Sequence, residues 1–318
     1  MSLVARDAKA KTHSKGKGKD RQVGSGPGGE DRPEAGRMSG LLRVGVVLLV
    51  LAVLAAVLYG QRRRLLAAWS GLPATAAVVK LAEVPRWMPP ELVRAVLADI
   101  QVAAGDAEHP RSIFDAGLVR DVYRRAAANP WVARVQEVRR EPDGRVLVRC
   151  EFRRPFALVR SLALPAQKLI PVDAEGVVLP VRPQLLRPGA FVIIGDVASR
   201  PPTPGQKWDA PDLADGLRLL KLICEKPYAK EITAIDVRNY NGRISPREPH
   251  LRIWAQVGRG LRTDIRFGRF PTGDDDYCVS PARKIAYLDK FYRDNGGRLA
   301  GQAAFLDLRF DKLHVSLR

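Results

Sequence analysis

The sequence predicts an α+β protein with one N-terminal transmembrane helix, a small strand-helix-helix-strand-strand domain and a larger strand-rich domain containing two helices. Three observations lead to this class: one long apolar segment with a single charge, two helical patterns followed by two strand patterns, and then a series of short strands separated by turns. The predicted divisions are a disordered tail (1–40), a transmembrane helix (41–60), a connector (61–77), a first domain (78–154) and a second domain (155–318).

The apolar segment from Leu41 to Tyr59 carries one charge, Arg43, in its first turn. As a helix, it would span about 28 Å at about 1.5 Å per residue, close to the roughly 30 Å hydrocarbon core of a bilayer. A cleaved signal peptide fits less well, because the segment starts forty residues into the chain and exceeds the usual apolar region of about 7–15 residues. A single membrane span is the prediction.

The net charge of +19 is spread along the chain rather than gathered in one block. Residues 1–40 contain nine Lys or Arg against five Asp or Glu, and few large apolar side chains, so this tail is predicted to be disordered. A distributed basic excess favours loose association with anionic surfaces. It gives no indication of specific nucleic-acid binding, and no such motif is present.

Basic residues lie on both sides of the predicted span. Those of the tail and Arg43 favour a cytoplasmic N-terminus, since positive charge is retained on the cytoplasmic side. The membrane-flanking Arg62, Arg63 and Arg64 favour the opposite orientation. The tail carries more positive charge in total, and the N-terminus is therefore predicted to be cytoplasmic.

The first domain begins with a strand at Val78–Val84, followed by a helix that Pro90 opens. A second helix is predicted from the capping-box spacing of Ser112 and Asp115, with an apolar face formed by Phe114, Leu118, Val119, Val122, Tyr123 and Ala126. The strands Trp131–Arg140, with a bulge, and Arg145–Phe152 complete a three-stranded sheet covered by two helices.

The second domain contains nine predicted strands and two helices. The strands are Phe156–Arg160, Lys168–Val172, Val177–Val181, Phe191–Ile194, Glu231–Arg238, Leu251–Val257, Leu261–Phe267, Phe305–Phe310 and Leu313–Leu317. One helix, Leu213–Cys224, would bury Leu213, Leu217, Leu220 and Cys224. The other runs from Pro281, after Ser280 as N-cap, to Asn295, and would bury Ile285, Leu288 and Tyr292. The last two strands are predicted to form a hairpin.

No residue pattern indicates catalysis, a cofactor or a metal. The four histidines are scattered, and the acidic run Asp274–Asp276 has no further ligand at a suitable spacing. The cysteines Cys150, Cys224 and Cys278 are interpreted as small apolar residues, with one disulfide as the alternative. The sequence therefore predicts a protein that is not an enzyme and has no cofactor or small-molecule substrate.

Five local motifs, in this order, resemble the FtsQ/DivIB family of bacterial cell-division proteins. They are Asn129-Pro130-Trp131-Val132, Arg153-Arg154-Pro155-Phe156-Ala157, the turn and strand at 173–180, Ile265-Arg266-Phe267-Gly268 with Lys284 and Leu288, and Phe305-Leu306-Asp307-Leu308-Arg309. The resemblance covers residues 78–318. It implies that the first domain is a POTRA domain and the second the β domain of that family.

The resemblance further implies a scaffold at the division site of the cytoplasmic membrane, with its folded domains outside the cytoplasm. Its partners would be other single-span division proteins of the FtsB and FtsL type, linked to septal wall synthesis. Binding would occur by strand addition near the C-terminus, and the implied contacts are Leu313, His314, Val315, Ser316 and Leu317, with Lys284, Tyr287 and Phe291 on the adjacent helix. Two other hypotheses remain open: a different POTRA-bearing transport or assembly component, and an anchored wall-binding module or enzyme.

Overall fold

The computed structural model describes residues 36–70, 77–105, 108–182, 189–273 and 277–317. The described part is a mixed α/β protein with five α-helices and two β-sheets. The chain divides into two compact units, Met1–Leu72 and Pro73–Arg318. The first contains one long helix, and the second contains both sheets.

Helix α1 runs from Gly36 to Ser70 and is about 52 Å long at about 1.5 Å per residue. Its stretch Gly45–Arg62 has a mean hydropathy of 2.0 and no buried residue, so it is long and apolar enough to cross a membrane. The predicted span 41–60 lies inside this helix, which also includes 36–40 and 61–70. The Arg, Leu and Ala residues after Gly60 have high helix propensity, which explains the extension. The tail residues 1–35 lie outside the described residues.

The first sheet has three strands, as predicted, and their order is β1-β3-β2. Its strands are β1 (Val78–Leu81), β2 (Val132–Arg140) and β3 (Arg145–Phe152), with β1 parallel and β2 antiparallel to β3. Helices α2 (Pro90–Ala104) and α3 (Leu118–Ala128) pack their apolar residues on one face of this sheet. The predicted bulge is confirmed by two register shifts in the β2–β3 pairing.

Helix α3 begins at Leu118, so its prediction from Ser112 was wrong. The Asp115 carboxylate accepts hydrogen bonds from the Gly117 N–H at 2.8 Å and from the Arg111 guanidinium at 2.9 Å, which holds 112–117 in turns. These hydrogen bonds, above all the one from the Gly117 N–H, lower the pKa of Asp115. Phe114 is consequently 71% exposed rather than part of the helix face.

The second sheet has eight strands in the order β11-β10-β9-β8-β7-β6-β4-β5. The strands are β4 (Ala157–Ser161), β5 (Leu169–Val172), β6 (Val192–Val197), β7 (Ile232–Asp236), β8 (Leu251–Ala255), β9 (Thr263–Gly268), β10 (Phe305–Asp307) and β11 (His314–Ser316). Residues Val177–Val181 were wrongly predicted as a strand. They make isolated bridges instead, at Val178 to Val172 and at Val177 to Lys207.

Helices α4 (Pro211–Ile223) and α5 (Pro281–Asp294) contribute to one core with the eight-stranded sheet. The predicted burial of Leu213, Leu217, Leu220, Ile285 and Leu288 is confirmed, whereas Tyr292 is half-buried. The predicted N-cap is also confirmed, since the Ser280 hydroxyl accepts a hydrogen bond from the Arg283 N–H at 3.3 Å.

The three cysteines are free thiols. Cys150 packs against the first core, and burial raises the pKa of its thiol to about 11, consistent with an apolar role. Cys224 was predicted to be buried but is exposed, because α4 ends one residue before it. The alternative of a disulfide is therefore not realised among these residues.

Candidate functional site

The candidate site is the C-terminal edge of the eight-stranded sheet. Strand β11 pairs antiparallel with β10, as Phe305↔Ser316, Leu306↔Val315 and Asp307↔His314. It is the terminal strand, and no strand among the described residues pairs with its other side. Alternate backbone N–H and C=O groups of an edge strand point away from the sheet, where a further strand can bond to them.

The two faces of β11 differ in polarity. Val315 lies opposite the fully buried Leu306 and so shares the helix-covered face, yet it is 41% exposed. Leu317 continues this face and is 74% exposed. His314 and Ser316 lie on the opposite face, where the His314 ring packs against the Phe310 ring in a tilted arrangement, with 5.0 Å between centroids. A partner strand with apolar side chains on the Val315 face and polar ones on the other would match this edge.

Helix α5 holds the turn between β10 and β11. The Tyr287 hydroxyl donates a hydrogen bond to the Asp311 carbonyl, and Arg283 donates a second one to the same oxygen at 2.9 Å. Arg283 also lies 3.5 Å from the Asp311 carboxylate. These contacts fix the position of the hairpin relative to the helix.

A buried carboxylate stabilises the inner strand of the hairpin. Asp307 accepts hydrogen bonds from the Arg309 guanidinium at 2.9 and 2.7 Å, and its side chain is 5% exposed. Burial alone would raise its pKa, but the bonds from Arg309 outweigh burial and lower the pKa of Asp307 below 3.8. The carboxylate is therefore ionised at neutral pH, and Arg309 is held against β10.

Two residues predicted to contact a partner lie in the interior instead. Lys284 is 1% exposed, and its ammonium donates a hydrogen bond to the Arg269 carbonyl at 2.7 Å and lies 4.6 Å from the centre of the Phe267 ring. Burial lowers the pKa of Lys284. Phe291 is 8% exposed and belongs to the core. Neither presents a surface for binding, because both sit on the inner side of α5.

The remaining predicted contacts divide into a surface group and a supporting group. His314, Val315 and Leu317 are exposed, and Ser316 is half-buried. Leu313 and Tyr287 are half-buried against the core and support the hairpin from inside. Sequence reasoning missed Arg283 and Phe310. Their signal was the spacing of Arg283 one helical turn before Tyr287 and the position of Phe310 at the end of the predicted strand Phe305–Phe310.

The predicted membrane-flanking arginines all lie within α1. Arg62 is exposed, and the side chains of Arg43, Arg63 and Arg64 lie outside the described residues. The acidic run Asp274–Asp276 also lies outside them. Within the described ranges, no group of three His, Cys, Asp or Glu side chains could hold a metal ion.

A comparison with models of known protein families gives no match, and a comparison with curated protein sequences gives none either.

Proposed function

We propose that this chain is a membrane-anchored scaffold of bacterial cell division, of the FtsQ/DivIB type, which binds a partner strand at β11. One observation carries the proposal most directly: β11 ends the eight-stranded sheet with an open edge, while α5 fixes its turn in place. Strand addition uses such an edge, because backbone hydrogen bonds supply affinity and alternate side chains supply specificity.

The order of elements supports the same proposal. A three-stranded sheet with two helices on one face is the expected architecture of a POTRA domain, and the final hairpin is where the resemblance puts partner binding. Helix α1 supplies a candidate anchor. In the proposed arrangement, the N-terminus is cytoplasmic, the sheets lie outside the cytoplasm, and the partners are single-span division proteins of the FtsB and FtsL type that connect to septal wall synthesis.

The direct test is partner capture by the full-length chain and by Val315→Pro. Proline cannot donate a ladder hydrogen bond and disrupts a three-residue edge strand. We expect about a tenfold loss of captured partner, which corresponds to roughly 1.4 kcal/mol. The measurement is affinity purification from solubilised membranes with mass spectrometry of the recovered proteins.

The matched control is Val257→Pro, at a valine that is 60% exposed and lies outside the strands. It should capture as much partner as the parent chain. Equal capture by Val315→Pro and the parent would contradict the proposed site. Normal septation after depletion of the chain, together with uniform membrane distribution, would contradict the role in division.

A further inference from the structure

The first sheet ends at β1 with an edge that a side chain occupies. The Gln101 side chain, from α2, accepts a hydrogen bond from the Val79 N–H at 2.9 Å. It donates to the Ala77 carbonyl at 2.8 Å and to the Gly105 carbonyl at 2.8 Å. One amide thus bonds to two outward-pointing backbone groups, one in β1 and one in the residue just before it.

This arrangement reproduces one residue of a parallel β-ladder. In such a ladder, a residue donates its N–H to the carbonyl before the opposing residue and accepts from the N–H after it. The Gln101 amide does the same around Val78, between the Ala77 carbonyl and the Val79 N–H. The neighbouring Ala77 N–H is bonded as well, to the Arg111 carbonyl at 3.2 Å.

We propose that Gln101 acts as a strand substitute that prevents a second copy of this chain from pairing edge to edge with β1. Two features of β1 would favour pairing with another strand if its edge were free. Val78 is 55% exposed on β1, and β1 has only one charged residue, Lys80, to discourage pairing. With the amide in place, a second strand would have to displace three hydrogen bonds before forming its own. This inference is independent of the function proposed for β11.

The experiment uses the full-length chain in detergent micelles, with Cys224→Ser to remove the exposed thiol and Val78→Cys to report on β1. Two β1 edges related by a twofold axis run antiparallel, and the new thiols lie opposite each other when the axis passes near Val78; the dimeric mass reports any other register. Gln101→Leu in this background should produce a disulfide-linked dimer and a dimeric mass in sedimentation. The parent and Gln136→Leu, a change at an exposed glutamine of β2, should remain monomeric.

A second variant and a second measurement separate blocking from a purely structural role. Gln101→Glu keeps an acceptor for the Val79 N–H but loses both donors, so it should also dimerise if Gln101→Leu fails to fold. Hydrogen exchange at the Val79 amide should become about tenfold faster in the monomeric fraction of either variant. Faster exchange with a monomeric mass in both variants would overturn the proposal, since Gln101 would then only join α2 to β1.

Discussion

The two ends of the eight-stranded sheet are treated differently. At the β5 end, the segment after the strand folds back over the edge: the Leu179 N–H donates to the Pro171 carbonyl at 2.9 Å, and the Asp173 N–H donates to the Val177 carbonyl at 3.0 Å. A further segment covers that one, because the Val178 N–H donates to the Gln206 carbonyl at 3.0 Å. At the β11 end, no described backbone segment occupies the edge.

The difference supports the proposal that the sheet binds a partner strand at β11. An uncovered edge strand can pair with strands of other chains, and proteins usually prevent this by covering the edge or by interrupting the strand. Here the fold uses two layers of backbone to close one end, and keeps β11 to three residues at the other. A short, uncovered strand that is held in place by a helix is suited to binding one specific partner. It does not protect the sheet edge against pairing with other strands. The β5 end is the closed end of the sheet, and β11 is the open end. The contacts of Tyr287 and Arg283 with the Asp311 carbonyl form the brace of the open end.

The largest expected effect is at the closed end. Asp173, 2% exposed, accepts hydrogen bonds from the Val177 N–H at 2.8 Å and from the Arg153 guanidinium at 2.7 Å. Asp173→Ala leaves these donors unpaired in the interior, which should reduce the free energy of unfolding by about 3 kcal/mol. Thermal unfolding and hydrogen exchange at 177–179 measure the change. Asp173→Asn retains an acceptor for the Val177 N–H and should lose less than Asp173→Ala; equal losses would contradict a contribution from that hydrogen bond and assign the whole effect to the ion pair with Arg153.

The second expected effect concerns the stability of the open end and its pH dependence. Because the pKa of Asp307 is lowered on folding, its contribution is present above pH 3.8 and is lost as the pH falls through the native pKa. Asp307→Asn should weaken the hairpin by about 2 kcal/mol at pH 7, since it removes hydrogen bonds between charged groups.

Hydrogen exchange of the hairpin amides, measured from pH 7 to pH 3 and corrected for intrinsic rates, checks this expectation. The parent should lose protection toward the acidic end, and the variant should start lower and change less. A parallel response of both chains would show that Asp307 does not stabilise β10.

Local features were predicted from the sequence more accurately than non-local ones. The C-terminal hairpin, the three-stranded sheet and the Ser280 cap were predicted correctly, because each depends on residues close together in the chain or on simple alternation. The start of α3 was wrong because Arg111 binds Asp115 and stabilises a turn that competes with the capping box.

For the candidate site, the buried residues of α5 were harder to predict than the strands. Lys284 and Phe291 were taken for surface contacts, yet both face the core, where the Arg269 carbonyl satisfies the lysine. That carbonyl comes from the segment after β9, and nothing in the sequence near Lys284 indicates it. The blocking role of Gln101 is equally non-local, because the Val79 N–H and the Ala77 carbonyl precede it by more than twenty residues.

The smallest expected effect is at the brace of the open end. Tyr287→Phe removes one hydrogen bond to the Asp311 carbonyl, while Arg283 keeps its own bond to the same oxygen. The hairpin should therefore lose about 1 kcal/mol or less, seen as faster exchange at 311–316 with little change in the melting temperature. Tyr277→Phe is the matched control, since that side chain is 97% exposed. If both variants exchange at the parent rate, Arg283 alone holds the turn. If Tyr287→Phe also reduces partner capture, the geometry of the β11 edge depends on both contacts.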